Sequence, residues 1–149
     1  AKSSYYIDIK KASTNPTVLK LIAELMAEEL RNTGIKVDRI AGVVLGSVPL
    51  AAALALETGI PYVMIRKEKK DHGTGKLIEG TLEIGDRVLV VEDVITSAGS
   101  SITAIETLRK EGAVVEDVFS VIDRESGGSD NLMQIGVTLH PLVKASELL

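Results

Sequence analysis

Glu92 and Asp93 stand side by side at the end of an apolar run, and Thr96, Ser97, Ala98, Gly99 and Ser100 follow within the stretch RVLVVEDVITSAGSS. The run 88–91 is short and β-branched, as expected of a parallel strand buried on both faces. Ligands of open α/β sheets bind at the carboxyl ends of the strands, so a carboxylate pair there can accept hydrogen bonds from vicinal hydroxyls such as those of a ribose. Small residues after the pair let a phosphate approach the backbone. There, the N–H groups that lack partners in a helix's first turn, together with the positive end of its dipole, hold the anion. Thr96, Ser97 and Ser100 add hydroxyl donors, and Val94 and Ile95 link the two halves of the site. A bare TSxGS turn would read first as a Ser/Thr-capped helix start. Joined to the acidic pair, it reads as a site for a sugar phosphate.

Three other groups could share that chemistry. Arg66, Lys67, Lys69, Lys70 and His72 crowd positive charge into one short segment of an acidic chain, which suits a polyanion such as pyrophosphate, although charge runs are commonly just solvated surface. Gly46 and Ser47, in GVVLGSVP, form a second strand-to-helix turn whose amides could face the same ligand. Asp123, Arg124 and Glu125 end another apolar run. Arg124 is either a planar five-donor group facing a ligand or one half of a surface pair with a neighbouring acid. His140, beside Pro141, reads as structural.

The elements that must position these residues follow from pattern and punctuation. Residues 5–10 alternate apolar and polar and read as a strand; 16–32 is an amphipathic helix capped by Thr14 or Asn15 and stopped by Gly34, with Leu19, Ile22, Ala23, Met26 and Leu30 facing the core. Strands are expected at 40–45, 62–65, 87–92 and 114–122, and helices at 49–58 and 102–111, the latter closed by Gly112. Strands alternating with helices indicate βαβ units and a parallel sheet with helices on both faces. Residues 66–80 carry three glycines and no apolar period, and a loop of that length is usually functional or disordered. At 149 residues, without repeats or linkers, the chain reads as one domain. It has no cysteine, which excludes disulfides and thiolate metal sites and fits a reducing cytoplasm. Seventeen basic against twenty-one acidic residues, a formal charge of −4, argue against a general nucleic-acid surface, and no apolar run is long enough to span a bilayer.

The segment from Arg87 to Ser101 resembles the donor-binding signature of the type I phosphoribosyltransferases. The pattern RKxxKxHG at Arg66, Lys67, Lys70, His72 and Gly73, the DR pair Asp123-Arg124, and SxYYxD from Ser3 to Asp8 resemble the orotate phosphoribosyltransferases within that family. The resemblance covers essentially the whole chain. It implies the phosphoribosyltransferase fold, a parallel sheet with a small N-terminal hood, and the conversion of orotate and phosphoribosyl pyrophosphate (PRPP) to orotidine 5′-phosphate and pyrophosphate in pyrimidine synthesis. By the same resemblance, Glu92 and Asp93 hold the ribose hydroxyls, and the backbone and side chains from Val94 to Ser100 hold the 5′-phosphate. Gly46, Ser47, Arg66, Lys67, Lys70 and His72 serve the pyrophosphate. Lys70, His72 and Asp93 are the implied catalytic residues, and Tyr6, Ile7, Thr96 and Arg124 the implied orotate contacts. Mg²⁺ is carried mainly by PRPP rather than by a protein cage. A homodimer is implied, its mobile catalytic loop (residues 67–79) shared between subunits.

Three departures from the family pattern carry expectations. Ala98 replaces a usual glycine, so either the backbone there avoids positive φ or the phosphate cradle shifts. Gly46 stands where bacterial relatives often have lysine, removing one anion contact. The family's leading helix, and a segment with a donor-contacting lysine, have no counterpart before Ala1, which bears on base affinity more than on donor binding. Two alternatives share the donor site: a phosphoribosyltransferase for a purine base, which needs neither RKxxKxHG nor Arg124, and a non-catalytic PRPP-sensing regulator.

Overall fold

Helical and strand segments alternate along the chain, and the computed structural model, which describes residues 9–67 and 76–148, assembles them into one six-stranded sheet. In chain order the elements are α1 (Ile9–Ser13), α2 (Pro16–Thr33), β1 (Arg39–Val43), α3 (Val48–Thr58), β2 (Tyr62–Ile65), β3 (Ile78–Glu79), β4 (Arg87–Ile95), α4 (Gly99–Lys110), β5 (Val114–Asp123), α5 (Gly128–Met133) and β6 (Thr138–Lys144), closed by a 3-10 turn at Ala145–Leu148. The sheet order is β3-β2-β1-β4-β5-β6. Every pairing is parallel except β2 with β3.

Punctuation explains most boundaries. The Asn15 side chain accepts hydrogen bonds from the amides of Thr17 and Val18, making it, rather than Thr14, the cap of α2. Gly34 takes φ 69° to end that helix, its amide donating to the Leu30 carbonyl. Ile22, Ala23, Met26, Ala27 and Leu30 turn inward, as the helical spacing predicts.

The start of the chain differs from expectation. Ile9 and Lys10 open α1 instead of closing a strand, because Ile9 is buried in the core cluster that α2 and α3 build. Alternation over a few residues is a weak signal against that burial. The loop expected after β2 contains the two-residue β3, paired at Met64↔Glu79 and Ile65↔Ile78. α5 begins at Gly128, inside the stretch Ser126-Gly127-Gly128-Ser129, where no helix is expected from the sequence pattern.

Two apolar layers sandwich the sheet. On one face Met26, Leu30, Leu50 and Leu54 from α2 and α3 pack on Leu89, Val91 and Phe119. On the other, Ala104, Ile105 and Leu108 of α4 and Leu132 of α5 pack on Val88, Val90 and Val118. β1 is therefore followed by a helix on one face and β4 by a helix on the other. The strand order also runs outward in opposite directions from the β1–β4 pair. That is the topological switch point at which doubly wound sheets bind ligands.

Candidate active site at the switch point

β4 runs past the acidic pair to Ile95. Its ladder with β1 stops at Gly42↔Val91, whereas its ladder with β5 continues through Val94↔Ile122 and Ile95↔Asp123. The longer neighbour explains why the strand outlasts its apolar run, which the sequence pattern ends at Glu92. Beyond Val91 one edge of β4 faces the turn from β1 into α3, and both carboxylates sit at this opening.

Glu92 is 7% exposed and accepts two hydrogen bonds of 2.6 Å, from Ser47 Oγ to one oxygen and Ser101 Oγ to the other. Ser47, the residue before α3, therefore makes no side-chain cap for its own helix. Burial raises the Glu92 pKa; the Ser101 and Ser47 bonds oppose that rise, Asp93 adds to it, and Lys67 pulls against it. Ser120, paired with Glu92 across the ladder, is fully buried, and its hydroxyl finds no hydrogen-bond partner among the described residues.

Asp93 is half-buried. Its Oδ1 accepts from the amide of Val94 at 2.7 Å. A Cβ placed on Gly46 would lie 3.0 Å from Asp93 Oδ2, a tight contact that gives a physical reason for glycine at that position. At Gly42 a Cβ would meet the Ser47 carbonyl at 2.8 Å, so glycine there lets the start of α3 sit against β1.

The turn after β4 exposes Thr96, Ser97, Gly99 and Ser100 and buries Ala98. Ala98 holds φ 72°, so the backbone does not avoid positive φ, contrary to the first of the two expectations, and the alanine bears the strain, about 1 kcal/mol. α4 then begins at Gly99, three residues before the expected start, which places Ser100 and Ser101 in its first turn. The first-turn amides of this helix point at the opening. Asn131 Nδ2, donating to the Ser97 carbonyl at 2.9 Å, pins the turn to α5.

Arg66 and Lys67 lie across from α4. With Gly99, Ser100 and Thr103 they line a cleft of about 360 Å³. The Arg66 Nε donates to Glu79 at 2.8 Å, so β3 anchors this guanidinium beside the cleft. Arg124 is exposed, and its amide bonds the Ile95 carbonyl at 2.9 Å, next to Thr96. Its acidic neighbours are engaged elsewhere: Asp123 accepts the Glu125 amide and Glu125 the Ser146 amide, and Arg124 enters no salt bridge among the described residues. The bond to Ser146 lowers the pKa of Glu125. His140 pairs with Asp117 at 2.8 Å and packs edge-on to Phe119, in keeping with a structural role. Lys70, His72, Tyr6 and Ile7 lie outside the described residues.

Sequence reasoning missed Ser101, Ser120, Asn131 and Gly128. Ser101 carried a signal only if α4 starts at Gly99, since just then does its hydroxyl turn inward. Gly128 is set by space: a Cβ there would collide with Ile95 and with the Thr96 carbonyl at 2.6 Å. Gly128→Ala is expected to cost about 3 kcal/mol through overpacking against backbone, read by urea unfolding. A loss below about 0.5 kcal/mol, the range of ordinary surface changes, would show that α5 can move away freely.

Glu92→Gln is expected to remove a pH dependence. The folded-state pKa of Glu92 lies above its ordinary 4.5, so the folded chain binds this proton more tightly than the unfolded chain does. The group's stabilising contribution is greatest below 4.5 and is lost as pH rises to the raised value. Unfolding free energies measured from about pH 4 to about pH 8 should therefore fall for wild type relative to the variant; parallel profiles would contradict it.

The description "Phosphoribosyl transferase domain" belongs to the family model that matches residues 9–136. The orotate phosphoribosyltransferase of Pyrococcus abyssi is 54% identical over 147 residues, which cover 99% of this chain and 81% of the relative. Among solved structures, orotate phosphoribosyltransferase from Aeropyrum pernix superposes with a TM-score of 0.86 at 32% identity, covering 97% of this chain and 81% of that one. The Mycobacterium tuberculosis orotate phosphoribosyltransferase in complex with PRPP does so with a TM-score of 0.82 at 30% identity, covering 97% and 83%. Among the described residues no helix is long and apolar enough to cross a membrane.

Proposed function

The chain belongs to the phosphoribosyl transferase family and, within it, to the orotate phosphoribosyltransferases, and from that premise we propose that it transfers the phosphoribosyl group of PRPP to orotate, releasing pyrophosphate. One observation carries the site assignment: Glu92 and Asp93, the first turn of α4 and Arg124 meet at one edge of the sheet, beside the β1–β4 switch point.

The chemistry is electrostatic. Breaking the bond at the anomeric carbon builds positive charge on the ribose ring and negative charge on the departing diphosphate, much as in glycoside cleavage. Asp93 and Glu92 hold the ribose hydroxyls and stand near the growing positive charge. The α4 amides, with Thr96, Ser97 and Ser100, fix the 5′-phosphate. Gly46, Ser47, Arg66 and Lys67 face the diphosphate, and Lys70 and His72 stabilise it as it leaves. Arg124 matches the carboxylate and ring carbonyls of orotate, with Thr96 beside it and Tyr6 and Ile7 against the base.

When bound, Mg²⁺ carried on the diphosphate would supply neutralisation of leaving-group charge. The oxygen donors at the opening, the Asp93 carboxylate above all, suit such a hard cation directly or through water. The enzyme works as a homodimer in the cytoplasm. In support of the dimer, α3 is apolar nearly all round, and Leu45 and Leu56 are 80% and 90% exposed.

The test is turnover of orotate with PRPP and Mg²⁺, followed by ultraviolet loss of orotate, with uracil, adenine and hypoxanthine in parallel. Orotate alone should react. Turnover of a purine instead, or of no base by a chain that binds PRPP, would overturn the proposal.

A further inference from the structure

The two serine bonds to Glu92 come from opposite faces of the sheet. Ser47 precedes α3, which packs with Leu89 and Val91, and Ser101 lies in the first turn of α4, which packs with Val88 and Val90. The two helices start beside the two anion-binding turns, and β1 no longer pairs with β4 at this level, its ladder ending at Gly42↔Val91. The Glu92 carboxylate therefore spans the place where the sheet itself stops joining the two halves.

We propose that Ser101 is a positioning residue that, through Glu92 and Ser47, holds the α3 and α4 anion cradles at the separation a single bridging donor requires. Both bonds are 2.6 Å and both serines are buried, at 2% and 1% exposure, so the strut is shielded from competing water. A carboxylate has about four acceptor sites, so two serine bonds leave Glu92 able to receive a ribose hydroxyl as well. Ser101 itself touches no substrate. The inference deepens the reading of PRPP as a ligand that touches both turns.

A strut of this kind matters to a ligand that spans both cradles and little to one that fills a single cradle. Calorimetric titration of the whole chain with Mg²⁺-PRPP, pyrophosphate and inorganic phosphate separates the cases without depending on the base. Ser101→Ala is expected to weaken PRPP about tenfold, as loss of a hydrogen bond to a charged group would, and to leave pyrophosphate and phosphate within about twofold. Ser101→Thr, which keeps the hydroxyl, should restore most of the loss. Because either serine breaks the same strut, Ser47→Ala/Ser101→Ala should bind PRPP about as weakly as the worse single variant rather than additively. Should Ser101→Ala fail to fold, Ser47→Ala breaks the strut from α3 and carries the same expectation for PRPP. PRPP affinity within twofold of wild type, equal weakening of all three ligands, or additive single losses would each overturn the proposal. Wild-type turnover of orotate, run alongside, tests the enzyme reading independently.

Discussion

Asp93→Asn is expected to lower kcat/KM for PRPP by about two to three orders of magnitude while leaving the fold intact. Hydrogen bonds to a charged group are each worth about 1.5–3 kcal/mol, so two ribose hydroxyls on one carboxylate reach about 3–6 kcal/mol, and a loss in the lower part of that range, with each 1.4 kcal/mol tenfold, gives about two to three orders of magnitude. Part of the loss should fall on kcat. A carboxylate beside a ring that gains positive charge interacts more strongly in the transition state than with bound donor. The fold should survive because asparagine keeps the oxygen that accepts the Val94 amide at 2.7 Å, and because Asp93 is half-buried rather than enclosed. Steady-state kinetics with PRPP varied, beside urea unfolding, check both halves. A kcat/KM within tenfold of wild type would remove Asp93 from the reacting sugar. A matching collapse in stability would recast it as a structural residue.

Asp93 could be singled out from sequence because the site is laid out along one short segment: strand, acidic pair, turn and helix are contiguous, and each has a local signature. Residues that act across the sheet were harder to find. The apolar run ends at Val91, so pattern alone stops the strand near Glu92; only the ladder with β5, reaching Ile95↔Asp123, shows that it goes on. Ser101 was hidden for a related reason. Its partner comes from β4, and Ser47 reaches the same carboxylate from the far face, a meeting created by the reversal of strand order rather than by any spacing in the chain. Gly128 carries no local signature, and its necessity lies in the distance to the Thr96 carbonyl. Ile9 was misassigned because burial under α2 outweighs a brief alternation. Arg124, by contrast, admits two readings from sequence; Asp123 and Glu125 each accept a backbone amide, and Arg124 enters no salt bridge among the described residues.

Lys70→Ala and Arg124→Ala chains, each nearly inactive alone, are expected to regain activity when mixed. Arg124 sits on the exposed edge beside Thr96, and its loss should remove orotate recognition from its own chain's site. If the catalytic loop reaches into the partner's site, each site draws Lys70 from one chain and Arg124 from the other. In a twofold heterodimer one site then receives both altered residues and the other receives neither. Random mixing makes about half of all dimers hybrid, with one sound site in two, so about a quarter of wild-type activity should return. A loop acting on its own chain predicts none, because every site would then carry one defect however the chains are paired. The two chains should be unfolded and refolded together, or co-expressed, so that subunits exchange, and the unseparated mixture assayed, with co-purification through a tag on one chain to check that hybrid dimers have formed. Full exchange without recovered turnover would place Lys70 in its own subunit's site and remove the functional reason for the dimer.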